Sequence, residues 1–160
     1  MEVIRADLNC LDELAKLFDQ YRIFYQQSSN LQGSMDFMKS RFAKGDSVIY
    51  VAKKNSRLIG FSQLYPSFSS VGMQRIWVLN DLFVEEGSRN QNVAKYLMEA
   101  AKKHGQSSNA LRIELATQVS NSPAQCLYES QGYVKNEKFY HYALVVSSII
   151  SSATCTNLSI

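Results

Sequence analysis

The chain has 160 residues, of which 46% are hydrophobic and 19% charged, and its formal net charge is +3. This length fits one domain with a substantial core, and the charge is too small to indicate a nucleic-acid partner. The three cysteines show no regular spacing, the N-terminus lacks the apolar core of a signal peptide, and no apolar run reaches the roughly 18 residues of a membrane helix. We therefore expect a cytoplasmic protein with reduced thiols and no membrane partner.

The first half of the chain predicts a strand, two helices and two more strands. Alternating residues in EVIRA indicate the first strand, and apolar residues at helical spacing follow it. Ser34 as an N-cap and Gly45 as a C-terminal stop bound a second helix, and a tight turn at Asn55-Ser56 joins two strands. The predicted elements are a strand over 2–6, helices over 11–25 and 34–45, and strands over 47–54 and 57–66, before a loop over 67–73.

The second half predicts strands alternating with helices. QRIWVLNDLFV is a nearly continuous apolar run, which is typical of a central strand buried on both faces. A turn leads from it into an amphipathic helix, and Ser122 is a plausible N-cap for a later, shorter helix that Gly132 ends. The predicted elements are a strand over 74–84, a helix ending at Gly105, a strand over 110–118, a helix over 122–132 and two last strands within 133–146. This order predicts a mixed sheet with helices packed on it.

The turn and helix start in GSRNQNVAK are a candidate phosphate site. A helix N-terminus presents unpaired N–H groups and a positive dipole end, which attract phosphate. Ala94 is small enough for a ligand to approach the backbone, and Arg89 and Lys95 carry positive charge. The alternative is an ordinary helix start that binds nothing.

Two polar residues, Asn80 and Asp81, interrupt the apolar strand. A buried carboxylate must be paired or its pKa must rise. Because successive side chains of a strand point to opposite faces, one of the two faces each side. Asp81 is therefore either a substrate-amine anchor and proton acceptor, or part of a structural pair with neighbouring backbone groups.

Tyr128 lies one turn past Ala124 on the short later helix. A tyrosine beside a reacting centre can donate a proton to a leaving group, and the alternative is core packing. His104 and His141 show no metal-ligand spacing, and no Cys/His cluster supports zinc, so we expect no metal site.

In combination these features resemble the GNAT superfamily of acetyl-CoA-dependent N-acetyltransferases, over most of residues 1–145. The family pattern for its pyrophosphate loop, Arg/Gln-x-x-Gly-x-Gly/Ala, is matched by Arg89, Asn92 and Ala94. The later family signature, an Asn before LYE..GF, is matched by Asn121 with the strings LYES and QGY. The string IWVLNDLFV is similar to the fourth strand of the branch that holds polyamine and histone acetyltransferases.

The resemblance implies an α+β fold, with a mostly antiparallel mixed sheet of about six or seven strands and about four helices packed on both faces. We expect one such domain over residues 1–146, followed by a Ser/Thr-rich tail over 147–160. Family members often dimerise through late strands, and the apolar YALVV segment at 142–146 permits a homodimer.

The resemblance also implies acetyl-CoA as co-substrate. Backbone groups of Leu82, Phe83 and Val84 would pair with the pantetheine arm like an added strand. Asn121 and Ala124 would contact the cofactor near this arm. Backbone N–H groups of the loop would hold the pyrophosphate, and the loop residues are Arg89, Asn90, Gln91, Asn92, Val93 and Ala94.

The implied reaction is direct attack of a primary amine on the thioester. The amine belongs to a small polyamine-like molecule or to a basic peptide side chain. In this family the fourth and fifth strands splay apart, which frees a backbone N–H to polarise the thioester carbonyl. Tyr128 would be the general acid for the CoA thiolate. The first candidate for the base is Asp81, with Glu85 and Glu114 behind it.

We expect Tyr25, Gln63 and Tyr65 to shape, with Asp81, a pocket for a cationic amine through aromatic faces and one carboxylate. One departure from the family pattern affects the loop, because Asn92 replaces its first glycine. If that position needs a positive φ, Asn is the least costly substitute. The alternative function is a non-catalytic sensor or scaffold that binds CoA through a weakened loop.

Overall fold

The computed structural model of the protein describes residues 1–146, so the tail predicted over 147–160 lies outside the described residues. The chain divides into two compact units, residues 1–115 and 116–160. The described part of the second unit contains helix α4 (Ser122–Ser130). The first unit contains strands β1 (Glu2–Arg5), β2 (Val48–Lys54), β3 (Arg57–Ser69), β4 (Gln74–Val84) and β5 (Ile113–Glu114), and helices α1 (Leu11–Phe24), α2 (Leu31–Lys44) and α3 (Val93–Ser107).

The five strands form one sheet in the order β1-β2-β3-β4-β5. The first four pair antiparallel, and β5 pairs parallel with β4. A parallel neighbour requires a crossover, and α3 provides it between β4 and β5. The predicted α+β class and mostly antiparallel sheet are therefore confirmed.

Helices cover both faces of this sheet. On one face, Leu14 and Leu17 of α1 and Met38 of α2 pack in a buried cluster with sheet residues that include Phe61 and Phe83. On the other face, Val93 and Leu97 of α3 pack against Ala52, Ile59 and Val84. We call these the α1 face and the α3 face. Both clusters are apolar, so the hydrophobic effect fixes the register of the strands between them.

A β-bulge interrupts β4 at Asn80. Leu64 of β3 pairs with Leu79, and Gln63 pairs with Asp81, so Asn80 is the extra residue. The bulge shifts the alternation of side chains along β4. Before it, Trp77 faces α3, where its ring lies 4.6 Å from the His104 ring. After it, Phe83 lies in the α1-face cluster, and alternation places Asp81 on that same face.

Asp19 joins α1 to the start of α2. Its carboxylate accepts hydrogen bonds from the Ser29 hydroxyl at 2.6 Å and from the Asn30 N–H at 2.7 Å. The Ser34 hydroxyl donates to it at 3.3 Å, and Arg22 lies 3.5 Å away. These hydrogen bonds, the Ser29 bond first, hold the pKa of Asp19 below its ordinary value. Asp19 therefore fixes the segment that follows Tyr25.

Several element boundaries differ from the predicted ones. Helix α2 begins at Leu31, three residues earlier, because Asn30 rather than Ser34 caps it by accepting from the Gly33 N–H at 2.9 Å. Helix α3 continues through Gly105, which lies so close to Ile113 of β5 that a Cβ would sit 3.1 Å from its Cδ1. Gly105 thus permits close packing rather than ending the helix. The turn at Asn55-Ser56 is confirmed, with both residues at positive φ.

Strand β3 extends through the segment predicted as a loop and ends at Ser69. Pro66 is tolerated inside it because its partner Trp77 turns its backbone N–H to the Arg112 carbonyl, on the side of β5. Pro66 and Trp77 are therefore not hydrogen-bonded to each other. The Pro66 nitrogen faces the side of β2, but the pairing of β2 with β3 ends at Leu64, so no β2 carbonyl is left without a donor.

The prediction of six or seven strands was too high. No strand forms in residues 133–146, and β5 comprises two residues instead of nine. A strand needs a hydrogen-bonded neighbour to satisfy its backbone groups, and the described part of the second unit supplies no second strand. Alternating apolar residues in YHYALVV were therefore not sufficient to predict pairing.

In residues 1–146, no helix has the length and apolar character that crossing a membrane requires. The same residues contain no group of His, Cys, Asp and Glu side chains placed to hold a metal ion.

Asp19→Asn should lower the free energy of unfolding at pH 7 by about 1–3 kcal/mol, because a buried charge-assisted hydrogen bond is lost. Since the pKa of Asp19 lies below 3.8 in the folded protein, its stabilisation is complete above that value and is lost as the pH falls below it. Thermal unfolding of both proteins from pH 7 to pH 3 measures this difference, which should shrink with the pH.

The matched control is Asp36→Asn, which changes an exposed carboxylate that contacts Gln32 at 3.1 Å on the surface of α2. It should leave the stability nearly unchanged. Equal unfolding temperatures of wild type and Asp19→Asn at pH 7 would show that Asp19 does not anchor the junction.

Candidate active site

The end of β4 presents a backbone edge that no strand of the described residues pairs with. Pairing between β4 and β5 stops at Val78, which faces Glu114. Beyond it, the Glu85 N–H donates to the Ile59 carbonyl, so Phe83, two residues earlier, also turns its backbone groups to β3. The backbone groups of Leu82 and Val84 therefore face the opposite side, where no strand pairs with them in the described residues. This open edge can accept an extended ligand.

The loop after β4 contains two residues in the left-handed region. Asn90 has a φ of 59° and Asn92 a φ of 61°. Asn92 precedes the first residue of α3, and its side chain does not cap the helix. The first turn of α3 contains no acidic residue. The N–H groups of Val93 and Ala94 therefore keep the positive end of the helix open to an anion.

Side chains of the loop hold it against the sheet. The Arg89 Nε donates to the Val84 carbonyl at 3.2 Å, and its guanidinium lies 5.6 Å from the centre of the Phe24 ring. The Gln91 amide donates to the Gly87 carbonyl at 3.2 Å and accepts from the Lys54 ammonium at 2.9 Å. Residues of β4, α1 and β2 thus position the loop. Lys54, the last residue of β2, also adds positive charge there.

Asp81 is the buried carboxylate of the site, with 5% of its surface exposed. The Asn80 amide donates to it at 3.1 Å, and the Tyr21 hydroxyl also donates to it. Burial raises the pKa of Asp81 above its ordinary value, and the two hydrogen bonds partly oppose this rise. A carboxylate with a raised pKa is a stronger proton acceptor than an exposed one.

The structure places Tyr25, Gln63 and Tyr65 around Asp81. Gln63 is the register partner of Asp81 on β3. Burial and then the charge of Asp81 raise the pKa of Tyr25, and they raise the pKa of Tyr65 to about 12. Both tyrosines therefore stay protonated and neutral near pH 7. The residues predicted for the acceptor pocket are thus close together in the first unit, on β3, β4 and the end of α1.

The other two candidate bases are engaged elsewhere. Glu85 forms an ion pair with Arg57 and accepts from the Ser88 hydroxyl at 2.9 Å. Glu114 forms an ion pair with Arg112 at 2.7 Å on the exposed end of β5. Asp81 is the carboxylate that burial and position favour.

A model of the acetyltransferase (GNAT) family matches residues 11–133. The chain belongs to the GNAT acetyltransferase family. It is 43% identical over 146 residues to the "Uncharacterized N-acetyltransferase YhfO" of Bacillus subtilis (strain 168), which covers 91% of this chain and 98% of YhfO. It is 31% identical over 150 residues to a "Probable acetyltransferase" of Haemophilus influenzae, which covers 92% of this chain and 99% of the relative. A crystal structure of a "probable acetyltransferase" matches it with a TM-score of 0.87 at 42% identity, covering 92% of this chain and 99% of that one.

In this acetyltransferase the remaining predicted site residues, Asn121, Ala124 and Tyr128, lie in the second unit. Asn121 caps α4 by accepting from the Ala124 N–H at 3.4 Å, and its amide donates to the Thr117 hydroxyl at 3.3 Å. Asn121 rather than Ser122 is therefore the N-cap. The Tyr128 ring lies 6.2 Å from the Tyr133 ring. Burial and then Tyr128 raise the pKa of Tyr133 to about 12.

Sequence reasoning missed two residues that the geometry brings to the candidate site, Tyr21 and Lys54, and it missed the bulge at Asn80. Tyr21 follows the apolar periodicity of α1 and gave no sign of its bond to Asp81. Asn80 was noted, but the bulge that it forms has no reliable sequence signal. Lys54 lies 37 residues before its partner Gln91, and only the sheet register brings the two together.

Asn92→Ala should weaken acetyl-CoA binding about fivefold, because the free loop of the variant can leave the left-handed region and must return to it on binding, at a cost of about 1 kcal/mol. Asn92→Gly should bind at least as tightly as the wild type, since glycine adopts this φ without strain. Isothermal titration with acetyl-CoA measures both affinities.

Asn109→Ala is the matched control, since Asn109 has a φ of 52° after the end of α3. It should lose similar stability and keep its affinity for acetyl-CoA. Wild-type affinity in Asn92→Ala, or weaker binding in Asn92→Gly, would contradict the backbone argument.

Proposed function

We propose that this GNAT protein transfers an acetyl group from acetyl-CoA to a primary amine, by direct attack of the amine on the thioester. The observation that carries the proposal is the position of Asp81, a buried carboxylate with a raised pKa beside the bulge that precedes the open edge of β4. The proposed acceptors are small polyamine-like molecules and basic peptide side chains, as in the histone and polyamine branch that the β4 string resembles.

The residues of the first unit fit acetyl-CoA as a substrate. Leu82 and Val84 offer backbone groups on an open strand edge, which suit the amides of a pantetheine arm. Asn92 holds a positive φ where the family uses glycine, so the N–H groups from Arg89 to Ala94 can converge on a pyrophosphate. The Lys54 ammonium, which donates to Gln91 of the loop, adds positive charge that favours the same anion.

A residue of this chain is assigned to each step of the proposed reaction. Asp81 takes a proton from the bound ammonium, so that the nitrogen can form a bond to the thioester carbon. A backbone N–H on the β4 edge polarises the carbonyl, which should supply about 3 kcal/mol. As the C–S bond breaks, Tyr128 gives its proton to the CoA sulfur, and the extra proton that the nitrogen still carries is released and restores the Tyr128 hydroxyl. Tyr128 has this role from its place in the family signature.

Tyr128→Phe should lower kcat about 100-fold and leave acetyl-CoA affinity nearly unchanged, since it removes a proton donor and keeps the ring. The rate of thiol release with a panel of amines measures kcat. The neighbouring Tyr133→Phe is the control and should keep its activity. Wild-type kcat in Tyr128→Phe would refute the acid assignment.

Asp81→Asn should lower the rate mainly at pH values above the raised pKa of Asp81 and below the pKa of the amine. The wild-type rate rises as the pH passes the raised pKa of Asp81, whereas at high pH the amine is already neutral and needs less help from a base. A pH–rate profile of both proteins tests this, with Glu85→Gln and Glu114→Gln as controls that should retain the wild-type profile. If the Asn variant also retained it, Asp81 would not be the base.

A second function, CoA binding without catalysis, is favoured by one observation. Arg89 occupies the Val84 carbonyl and Gln91 lies across the loop, so polar side chains stand where the family loop is rich in glycine. Native mass spectrometry with acetyl-CoA, run beside the thiol-release assay, separates the two functions. A CoA adduct with no turnover on any amine would favour the sensor or scaffold.

Location and assembly are also part of the proposal. The three cysteines without a framework support a cytoplasmic enzyme. In the second unit, Tyr142 and Leu144 are exposed, and such apolar side chains support a homodimer through the YALVV segment.

A further inference from the structure

Gln63 is a polar side chain in a position that the fold would fill with an apolar one. It lies in the middle of β3, between the buried residues Phe61 and Leu64, and none of its surface is exposed. Burying an amide is unfavourable unless all of its groups are hydrogen-bonded. The contacts of this amide therefore show whether Gln63 is structural or is placed for a ligand.

One end of the Gln63 amide is satisfied and the other is not. Its Nε2 donates to the Ser47 hydroxyl at 2.8 Å. The amide also hydrogen-bonds to the Tyr65 hydroxyl, which partly opposes the rise that burial causes in the pKa of Tyr65. The carbonyl oxygen Oε1 is buried and has no hydrogen-bond partner among the described residues. A buried unpaired acceptor is destabilising, so a purely structural role does not account for it.

Gln63 lies beside the proposed base. Gln63 and Asp81 are directly opposite each other in the register of β3 and β4. Each lies two residues from a member of the α1-face cluster, Phe61 on β3 and Phe83 on β4, so alternation places both side chains on that face. Opposite side chains on one face of neighbouring strands are close enough to contact one ligand nitrogen together.

We propose that Gln63 is a specificity-determining residue, whose Oε1 accepts one N–H of the amine while Asp81 accepts another. This inference rests on the proposed function, in which the acceptor is an amine. It goes beyond that function because it assigns the discrimination between differently substituted amines to the Gln63 Oε1 atom. Tyr25 and Tyr65 are only half-buried, and the proposal requires a neighbouring side chain such as one of these to move so that the amine reaches the buried oxygen. After Asp81 has taken a proton, the bond to Gln63 still orients the nitrogen. A tertiary ammonium has a single N–H, which Asp81 accepts, so its two methyl groups leave Oε1 unpaired.

The test compares two probes that differ by two N-methyl groups, benzylammonium and N,N-dimethylbenzylammonium, whose rings suit the tyrosines around Asp81. Isothermal titration of each probe into the wild type should show about tenfold tighter binding of benzylammonium, the effect of one buried hydrogen bond. Gln63→Met, which keeps the length and removes the acceptor, should bind both probes equally. Gln63→Glu, which keeps an acceptor oxygen, should retain the preference.

Ser62→Ala is the matched control. Ser62 precedes Gln63 on β3, is equally buried and also has a hydroxyl without a partner in the described residues, but alternation places it on the opposite face. This variant should keep the wild-type preference. Thermal unfolding shows whether each variant is folded. If Gln63→Met does not fold, the test uses Gln63→Glu, and loss of the preference for benzylammonium in that variant overturns the proposal.

Three results would overturn the assignment: a preference retained in folded Gln63→Met, equal binding of both probes by the wild type, or no saturable binding of either. None of these titrations depends on acetyl transfer. A preference that needs Gln63, found in a protein without turnover, would therefore refute the proposed enzymatic function and leave this inference standing.

Discussion

The single extra residue in β4 determines the geometry of the site. Without a bulge at Asn80, residues 77, 79, 81 and 83 would all face α3, and a carboxylate at 81 would lie in the apolar cluster of Val93 and Leu97. With the bulge, Asp81 turns to the α1 face and meets Tyr21. The same shift determines which backbone groups face the open edge, because it moves Leu82 and Val84 into that position. The proposed acceptor pocket and the proposed cofactor edge thus both depend on this bulge.

The pocket also depends on how α1 ends. Tyr21 and Tyr25 lie one turn apart, with ring centres 5.0 Å from each other, and Tyr25 follows the last residue of α1. The chain then needs a defined path to α2, which Asp19 provides by binding Ser29 and the Asn30 backbone. A carboxylate at the helix junction therefore holds the aromatic wall near a second carboxylate, Asp81. The two differ in environment: hydrogen bonds lower the pKa of Asp19, whereas burial raises the pKa of Asp81.

The sequence was informative where local rules decide the structure. The helix periodicity of α1, the turn at Asn55-Ser56, the apolar run of β4 and the motif at Arg89 to Ala94 are all local signals, and together they predicted the fold class and the family. The bulge, the Lys54–Gln91 contact and the unpaired Gln63 oxygen depend on register between strands, which single-sequence patterns do not specify. The predicted last strands failed for a related reason, since alternation in YHYALVV indicates a strand without indicating its partner.

The asparagines of the loop are a different solution to a constraint that family members meet with glycine. A glycine at 92 would adopt the positive φ at no steric cost but would lose more conformational entropy on folding, which a ligand-free loop must offset. Asn92 tolerates the same φ of 61° and has fewer unfolded conformations to lose. Gln91 and Arg89 then hold the loop through Lys54 and the Val84 carbonyl. The loop is thus ordered before any ligand binds, and Arg89 must release the Val84 carbonyl if an extended ligand is to pair there. Preorganisation of the backbone and occupation of the strand edge therefore act in opposite directions on affinity for the proposed cofactor.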